Sequence, residues 1–342
     1  MAAAALLVAA LPLLLDARAF GYGDDGHRAV GAIADGRLKG TPIGAKVLQL
    51  VDGLTLEEVA VIPDRIKNWD QNKPYHLHGH SGLENQLREY WSNNLHEAPN
   101  GEKLHHVFHY TDISIATDNP KYQDGAIGTY AYDVVHMISY CINVLTGKIP
   151  EYNERRITKP IAVILLTHLL GDTHQPLHVG AAYFDDNDKI VNPSSSTPYR
   201  EDRGGNEVLL FTVVSGHQQS LGKLHHYWDV NTVLKAFNIS ASQFDSQLVQ
   251  TLISSEPTEW KPAAGSNPTD WPKAWADEIL PIAREAHMRL KFEPSDDPSK
   301  FKAVIHDASG QTPYDEWAAG VVKGEIHKGG WRLAFLLEQI VN

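Results

Sequence analysis

The stretch PIAVILLTHLLGDTHQPLH, Pro160 to His178, constrains this chain more than any other. It begins as an apolar helix. That helix carries His168 and Asp172 four residues apart, and His178 follows a proline-containing turn. Positions i and i+4 share one helix face, so the imidazole and the carboxylate can reach the same point. On an otherwise apolar helix both groups need a partner. A zinc ion has the right chemistry, because it takes nitrogen and oxygen ligands at about 2 Å. The rest of the chain is then expected to deliver further ligands to this helix.

The pattern recurs. His225 and Asp229, within LHHYWD, are again four residues apart. One such pair alone reads as a helix-surface ion pair. Two pairs plus His178, in apolar surroundings, read as metal sites closed between facing helices of a bundle. The single cysteine, Cys141, excludes an intrachain disulfide and thiolate zinc sites. Any metal must therefore be held by His, Asp or Glu. The chain has 18 histidines, and most read plainly. His76, His78 and His80 lie in a polar loop, and His105, His106, His136, His287, His306 and His327 show no ligand pattern.

The 342 residues include 8 Trp and 13 Tyr, ample for a sizeable core. A net charge of −12 argues against attraction of nucleic acid by the bulk surface. It does not exclude a positive cleft, since each bound zinc adds two charges. Residues 2–15 are continuously apolar and precede Asp16-Ala-Arg-Ala. The run is too short to span a bilayer and reads as a signal-peptide core, although no Lys or Arg precedes it. Cleavage after Ala19 or after Gly21 suits the small-residue rule. The expectation is a secreted or periplasmic protein with no stable membrane association.

Along the chain, helices are expected over His27–Leu38, from Thr41-Pro42 to about Val51, after the capping box Thr55–Glu58, and at Pro63–Ile66. Residues 71–104 read as a long loop or insertion with a short helix near Leu83–Trp91. Further helices are expected at Tyr130–Leu145, Leu224–Phe237, Gln247–Ser254, Asp270–Leu290 and Trp331–Val341. Val208–Val214 is the one convincing strand. The expected architecture is mainly α, a single-domain helical bundle with long loops and a small β-hairpin.

The motifs together resemble a known family. YGDDGH at 22–27, PD at 63–64, HYTD at 109–112, HLLGDTHQPLH at 168–178, GGN at 204–206, LHHYWD at 224–229 and GGWRLAFLL at 329–337 carry the likeness. In that order, over nearly the whole chain, they resemble the zinc-dependent, single-strand-specific type I nucleases, which share a fold with bacterial zinc phospholipase C. The resemblance implies three zinc ions. Asp64, His109, His168 and Asp172 would hold the first. His178, His225 and Asp229 would hold the second. His27, a bridging Asp172, and the amino nitrogen and carbonyl oxygen of the mature N-terminal residue would hold the third. In the family that residue is a Trp five positions before the His, and here the position is Tyr22. Cleavage after Gly21 would make Tyr22 the N-terminus.

The implied chemistry is phosphoester hydrolysis by a metal-bridging hydroxide, with the second ion stabilising the leaving oxygen. The family's phosphate-binding arginine is replaced by Lys67, which keeps the charge and loses the bidentate fork. The family's base-stacking aromatic and base-bonding acid correspond to Tyr110 and Asp112, and Asn206 would line the same pocket. Expected substrates are single-stranded DNA and RNA, cut to 5′-phosphate products, and 3′-nucleotides. No protein partner is expected. Two other readings stand beside this one: a zinc phospholipase C, and a non-catalytic zinc-binding protein. The 44 residues between Asp64 and His109 are far more than the compact fungal members have, so the insertion could overhang the site or merely decorate the surface.

Overall fold

Helix α8 (Lys159–Thr173) runs through the centre of the computed structural model, which describes residues 22–69, 75–194 and 198–341. Every residue from Ile161 to Thr173 is buried. A helix apolar on all sides must be enclosed, and among the described residues eight other α-helices pack on this one. Thr158 caps its first turn by accepting from the Ile161 amide, with Pro160 in the first turn. At the far end the Gln175 side chain accepts from the Leu177 amide, and Pro176 starts a 3₁₀ turn, Pro176–His178. The turn brings His178 back beside the helix.

The enclosing helices follow in chain order. They are α1 (Gly23–Leu38), α2 (Pro42–Leu50), α3 (Leu56–Val59), α4 (Ile62–Ile66), α5 (Ser81–Asn93), α6 (Leu104–Val107) and α7 (Val134–Leu145). After α8 come α9 (Leu224–His226), α10 (Thr232–Phe237), α11 (Gln250–Ser254), α12 (Trp271–Met288) and α13 (Tyr314–Ile340). The fold is mainly α, as expected. The Thr41 cap and the Thr55–Glu58 capping box are both present. Cys141 is buried in α7.

Three differences from the expectation have physical causes. The closing helix begins at Tyr314, well before Trp331. Its glycines weaken the helical signal, yet Gly330 is needed, because a Cβ there would lie 2.5 Å from Ile33 of α1. The expected helix Leu224–Phe237 is interrupted by one π turn, Tyr227–Asn231, a rare feature that often marks functional positions. The expected hairpin is part of a larger sheet. Strands β5 (Val208–Val214) and β6 (His217–Lys223) form it, and β8 (Phe301–Ile305) and β7 (Leu290–Glu293) extend it in the order β6-β5-β8-β7. β5 and β8 run parallel, and such long-range pairing leaves no local sequence signal.

Short strand pairs frame the site. β1 (Ile113–Ser114) lies parallel to β2 (Gly180–Ala181), and β3 (Tyr183–Phe184) lies antiparallel to β4 (Arg200–Glu201). The expected signal segment, residues 1–21, lies outside the described residues, as do 71–74 of the insertion. The described part of the insertion holds α5, longer than expected, and a hooked loop closed by a bridge between Glu97 and Lys103. Among the described residues no helix is long and apolar enough to cross a membrane.

Candidate metal centre

His168 and Asp172 point from α8 into a buried cluster. Asp64 reaches it from α4, His27 from α1, and His109 from the loop after α6. The His168 Nε2 lies 2.9 Å from His109 Nδ1, 3.2 Å from Asp172 and 3.5 Å from Asp64. His109 Nδ1 is 3.0 Å from Asp172 and 3.8 Å from Asp64. His27 Nε2 lies 3.4 Å from Asp172 and 4.0 Å from Asp64, and its ring stacks on His168 at 3.7 Å. A second cluster joins His178, His225 and Asp229. The two Nε2 atoms are 3.1 Å apart, and Asp229 is 3.2 Å from His225 and 3.7 Å from His178. Asp172 also lies 3.6 Å from His178, so this one carboxylate touches both clusters.

The outer hydrogen bonds set the tautomers. His168 Nδ1 donates to the Ala60 carbonyl, His178 Nδ1 to the His109 carbonyl, and His225 Nδ1 to the Gly204 carbonyl. Each leaves an Nε2 lone pair facing inward, the arrangement found at metal-ligating histidines. Gln175 donates to Asp229 at 2.6 Å and orients it. Meanwhile both ring nitrogens of His27 and single oxygens of Asp172 and Asp229 are buried without a hydrogen-bond partner. Buried polar atoms are rarely left so.

Electrostatics points the same way. Burial opposes a charge on His168, yet Asp172 and Asp64 raise its pKa to about 10. Burial, then Lys67, holds its neighbour His109 well below the usual imidazole range. The second pair repeats this. Burial opposes it, but Asp172 and Asp229 raise His178, while burial lowers His225. Each facing pair therefore wants one positive charge between its nitrogens. Asp64 and Asp172 stay ionised against burial, the first through Lys67 and His168 and the second through His168 and His178. Nitrogen and carboxylate donors converging on one buried point fit a divalent cation, and among the described residues three groupings qualify: His27, Asp64, His168; His109, His168, Asp172; and His178, His225, Asp229.

A model of the S1/P1 nuclease family matches residues 22–342. The chain belongs to that family. It is similar to two Arabidopsis thaliana proteins, endonuclease 5 and endonuclease 2. The first is 24% identical over 338 residues, covering 94% of this chain and 90% of that protein. The second is 24% identical over 332 residues with the same coverage. As an S1/P1 nuclease the chain is a hydrolytic enzyme acting on phosphoesters.

In this S1/P1 nuclease the other expected residues surround the clusters. Lys67 is buried, with Nζ 2.7 Å from Asp64, and the rings of His105 and His106 close on its carbonyl at 3.2 and 3.1 Å. Tyr22 is fully buried and its hydroxyl donates to the His174 carbonyl. Its own carbonyl accepts from the Gly26 amide at 3.2 Å, so it sits at the start of α1. Tyr110 is half-buried. Asp112 is buried and hydrogen-bonded to Glu201 of β4. Burial and the Glu201 charge push Asp112 well above the ordinary carboxylate range. Asn206 is half-buried and donates to the Arg203 carbonyl at 3.0 Å.

Several neighbours escape a sequence reading. Gln175 lies inside the recognised motif, so its role was within reach. Glu201 carries no local signal, because only the β3–β4 pairing brings it to Asp112. His174 and Arg332 likewise meet only in three dimensions. Arg332 Nη1 donates to His174 Nε2 at 2.9 Å, supporting the turn that receives Tyr22.

Proposed function

We propose that this nuclease is exported, binds three zinc ions, cleaves single-stranded DNA and RNA to 5′-phosphate products and also removes 3′-phosphates from nucleotides. The observation that carries the reading is the facing pairs of imidazole nitrogens, at 2.9 and 3.1 Å, among orphaned carboxylate oxygens. Asp64, His109, His168 and Asp172 would hold one ion, and His178, His225 and Asp229 another. His27, Asp172 and the main chain of Tyr22 would hold the third. The family match starts at Tyr22, which supports cleavage of the leader after Gly21. Zinc bound there supplies Lewis-acid charge for the phosphoryl oxygens and lowers the pKa of a water.

The chain's own residues do the rest. Asp172 sits between the clusters and balances charge for both. Lys67 Nζ, beside Asp64, adds a fixed cation where a phosphate arrives. Hydrolysis breaks one P–O bond, adds the water oxygen to phosphorus and sends a proton to the leaving oxygen. Tyr110 offers a ring face for an unstacked base, Asp112 offers a hydrogen bond to its edge, and Asn206 lies on the neighbouring loop.

Elemental analysis of the mature protein, with N-terminal sequencing, is expected to give three zinc ions per chain and Tyr22 first. Hydrolysis of single-stranded DNA, duplex DNA, RNA and phosphatidylcholine tests the substrate. Preference for the single strands supports the reading, and lipid cleavage without nucleic-acid cleavage overturns it.

A further inference from the structure

The insertion reaches the base site. Its hooked loop leaves α5 at Asn94, a buried residue whose side-chain Nδ2 donates to the carbonyls of Tyr90 at 2.7 Å and Arg155 at 3.0 Å. The loop returns through the His105 amide, which donates to the Asn94 carbonyl at 3.1 Å. Between these ends the Ala98 amide donates to the Glu102 carbonyl at 2.7 Å, and Gly101 back to Ala98 at 2.9 Å. The tip is thus hydrogen-bonded into one shape.

Two tip side chains hold Tyr110. Asn100 Nδ2 donates to the Tyr110 hydroxyl at 2.8 Å, and that hydroxyl donates to Glu102 Oε2 at 3.0 Å. The other Glu102 oxygen pairs with Arg203, on the loop that carries Gly204 and Asn206. Glu102 is therefore shared between an aromatic face beside the clusters and a cation on the opposite loop. Arg203 is half-exposed, and its other carboxylate partner, Glu207, stands farther off at 3.9 Å and pairs closely with Lys300, so without Glu102 its charge would turn largely to solvent or to a passing phosphate.

We propose that Glu102 is a specificity-determining residue, holding the Tyr110 ring as a fixed stacking surface for one unstacked nucleobase and tying it to Arg203. The inference rests on the proposed nuclease reading and adds a part of the chain to it. A ring fixed at its hydroxyl cannot swing to suit bases of different size, so the bases are ranked by fit. Glu102 also neutralises Arg203, which keeps sequence-blind phosphate attraction low.

The test uses the zinc-loaded enzyme and homopolymer single strands of the four bases. Glu102→Ala is expected to narrow the spread of kcat/KM across them about fivefold and to steepen the log–log salt dependence of KM by about 0.7, the value of one extra phosphate contact on a single strand. Glu102→Gln keeps an acceptor for Tyr110 but breaks the ion pair, so it should retain the spread and still steepen the salt dependence. Zinc content and melting temperature serve as folding controls. An unchanged spread in Glu102→Ala overturns the proposal, as does equal narrowing in both variants. Cleavage by the wild type tests the nuclease reading separately. If the wild type cleaves none of the strands, calorimetric affinities of the four nucleoside 5′-monophosphates decide the point: the ranking must flatten in Glu102→Ala, and a preserved ranking overturns it.

Discussion

Asp172 lies 3.2 Å from His168, one turn away on the same helix, while His178 beyond the turn is 3.6 Å from its other oxygen. One carboxylate therefore serves two buried imidazole clusters. Replacing Asp172 with Asn should remove charge from both and lose about two zinc ions per chain, whereas Asp229→Asn should lose about one. Inductively coupled plasma analysis of the two variants decides this. Equal loss of a single ion in both would show that Asp172 is not shared.

Gly171 packs directly under His27. A Cβ at this position would lie 2.6 Å from His27 Nδ1, closer than such atoms approach. Gly171→Ala should displace the His27 ring, destabilise the protein by about 1–3 kcal/mol and weaken one zinc site. Chemical denaturation with parallel metal analysis checks both effects. Unchanged zinc content would mean that His27 contributes no ligand.

Lys67 is the cation nearest Asp64, at 2.7 Å. Lys67→Met should lower kcat/KM about 100-fold with zinc retained, because a fixed charge at the phosphate site is lost. Lys67→Arg should keep more of the activity. A Met variant with full activity would remove Lys67 from the mechanism.

Buried Asp112 and half-buried Glu201 form a carboxyl pair, both held above the ordinary carboxylate range by burial and by acidic neighbours. The folded pair keeps a proton that the unfolded chain has released above about pH 4. Its contribution to stability is thus full at low pH and is lost as pH rises through the folded pKa. Glu201→Gln removes the repelling charge, so the loss of stability with rising pH should be smaller than in the wild type. Urea unfolding across that range measures it, and an identical slope would disprove the coupling.

Part of the buried His and Asp cluster was legible in the chain where its spacing is local. His168 with Asp172, and His225 with Asp229, sit at helical intervals, and His178 follows a turn marked by proline. Helix caps at Thr41 and Thr55 were equally local. Family likeness added His27, Asp64 and His109, which no spacing connects to the rest. What surrounds these residues was decided by the tertiary fold. Glu201 meets Asp112 through a strand pair, β8 meets β5 across almost a hundred residues, and Glu102 reaches Tyr110 only because the insertion hooks back. Periodicity reports which face of one element is buried, while contacts between distant elements depend on how several faces close together. The sequence alone thus determined a buried His and Asp centre on a central helix. Only the packed structure decided which neighbours orient it, which carboxyls meet and what stands over Tyr110.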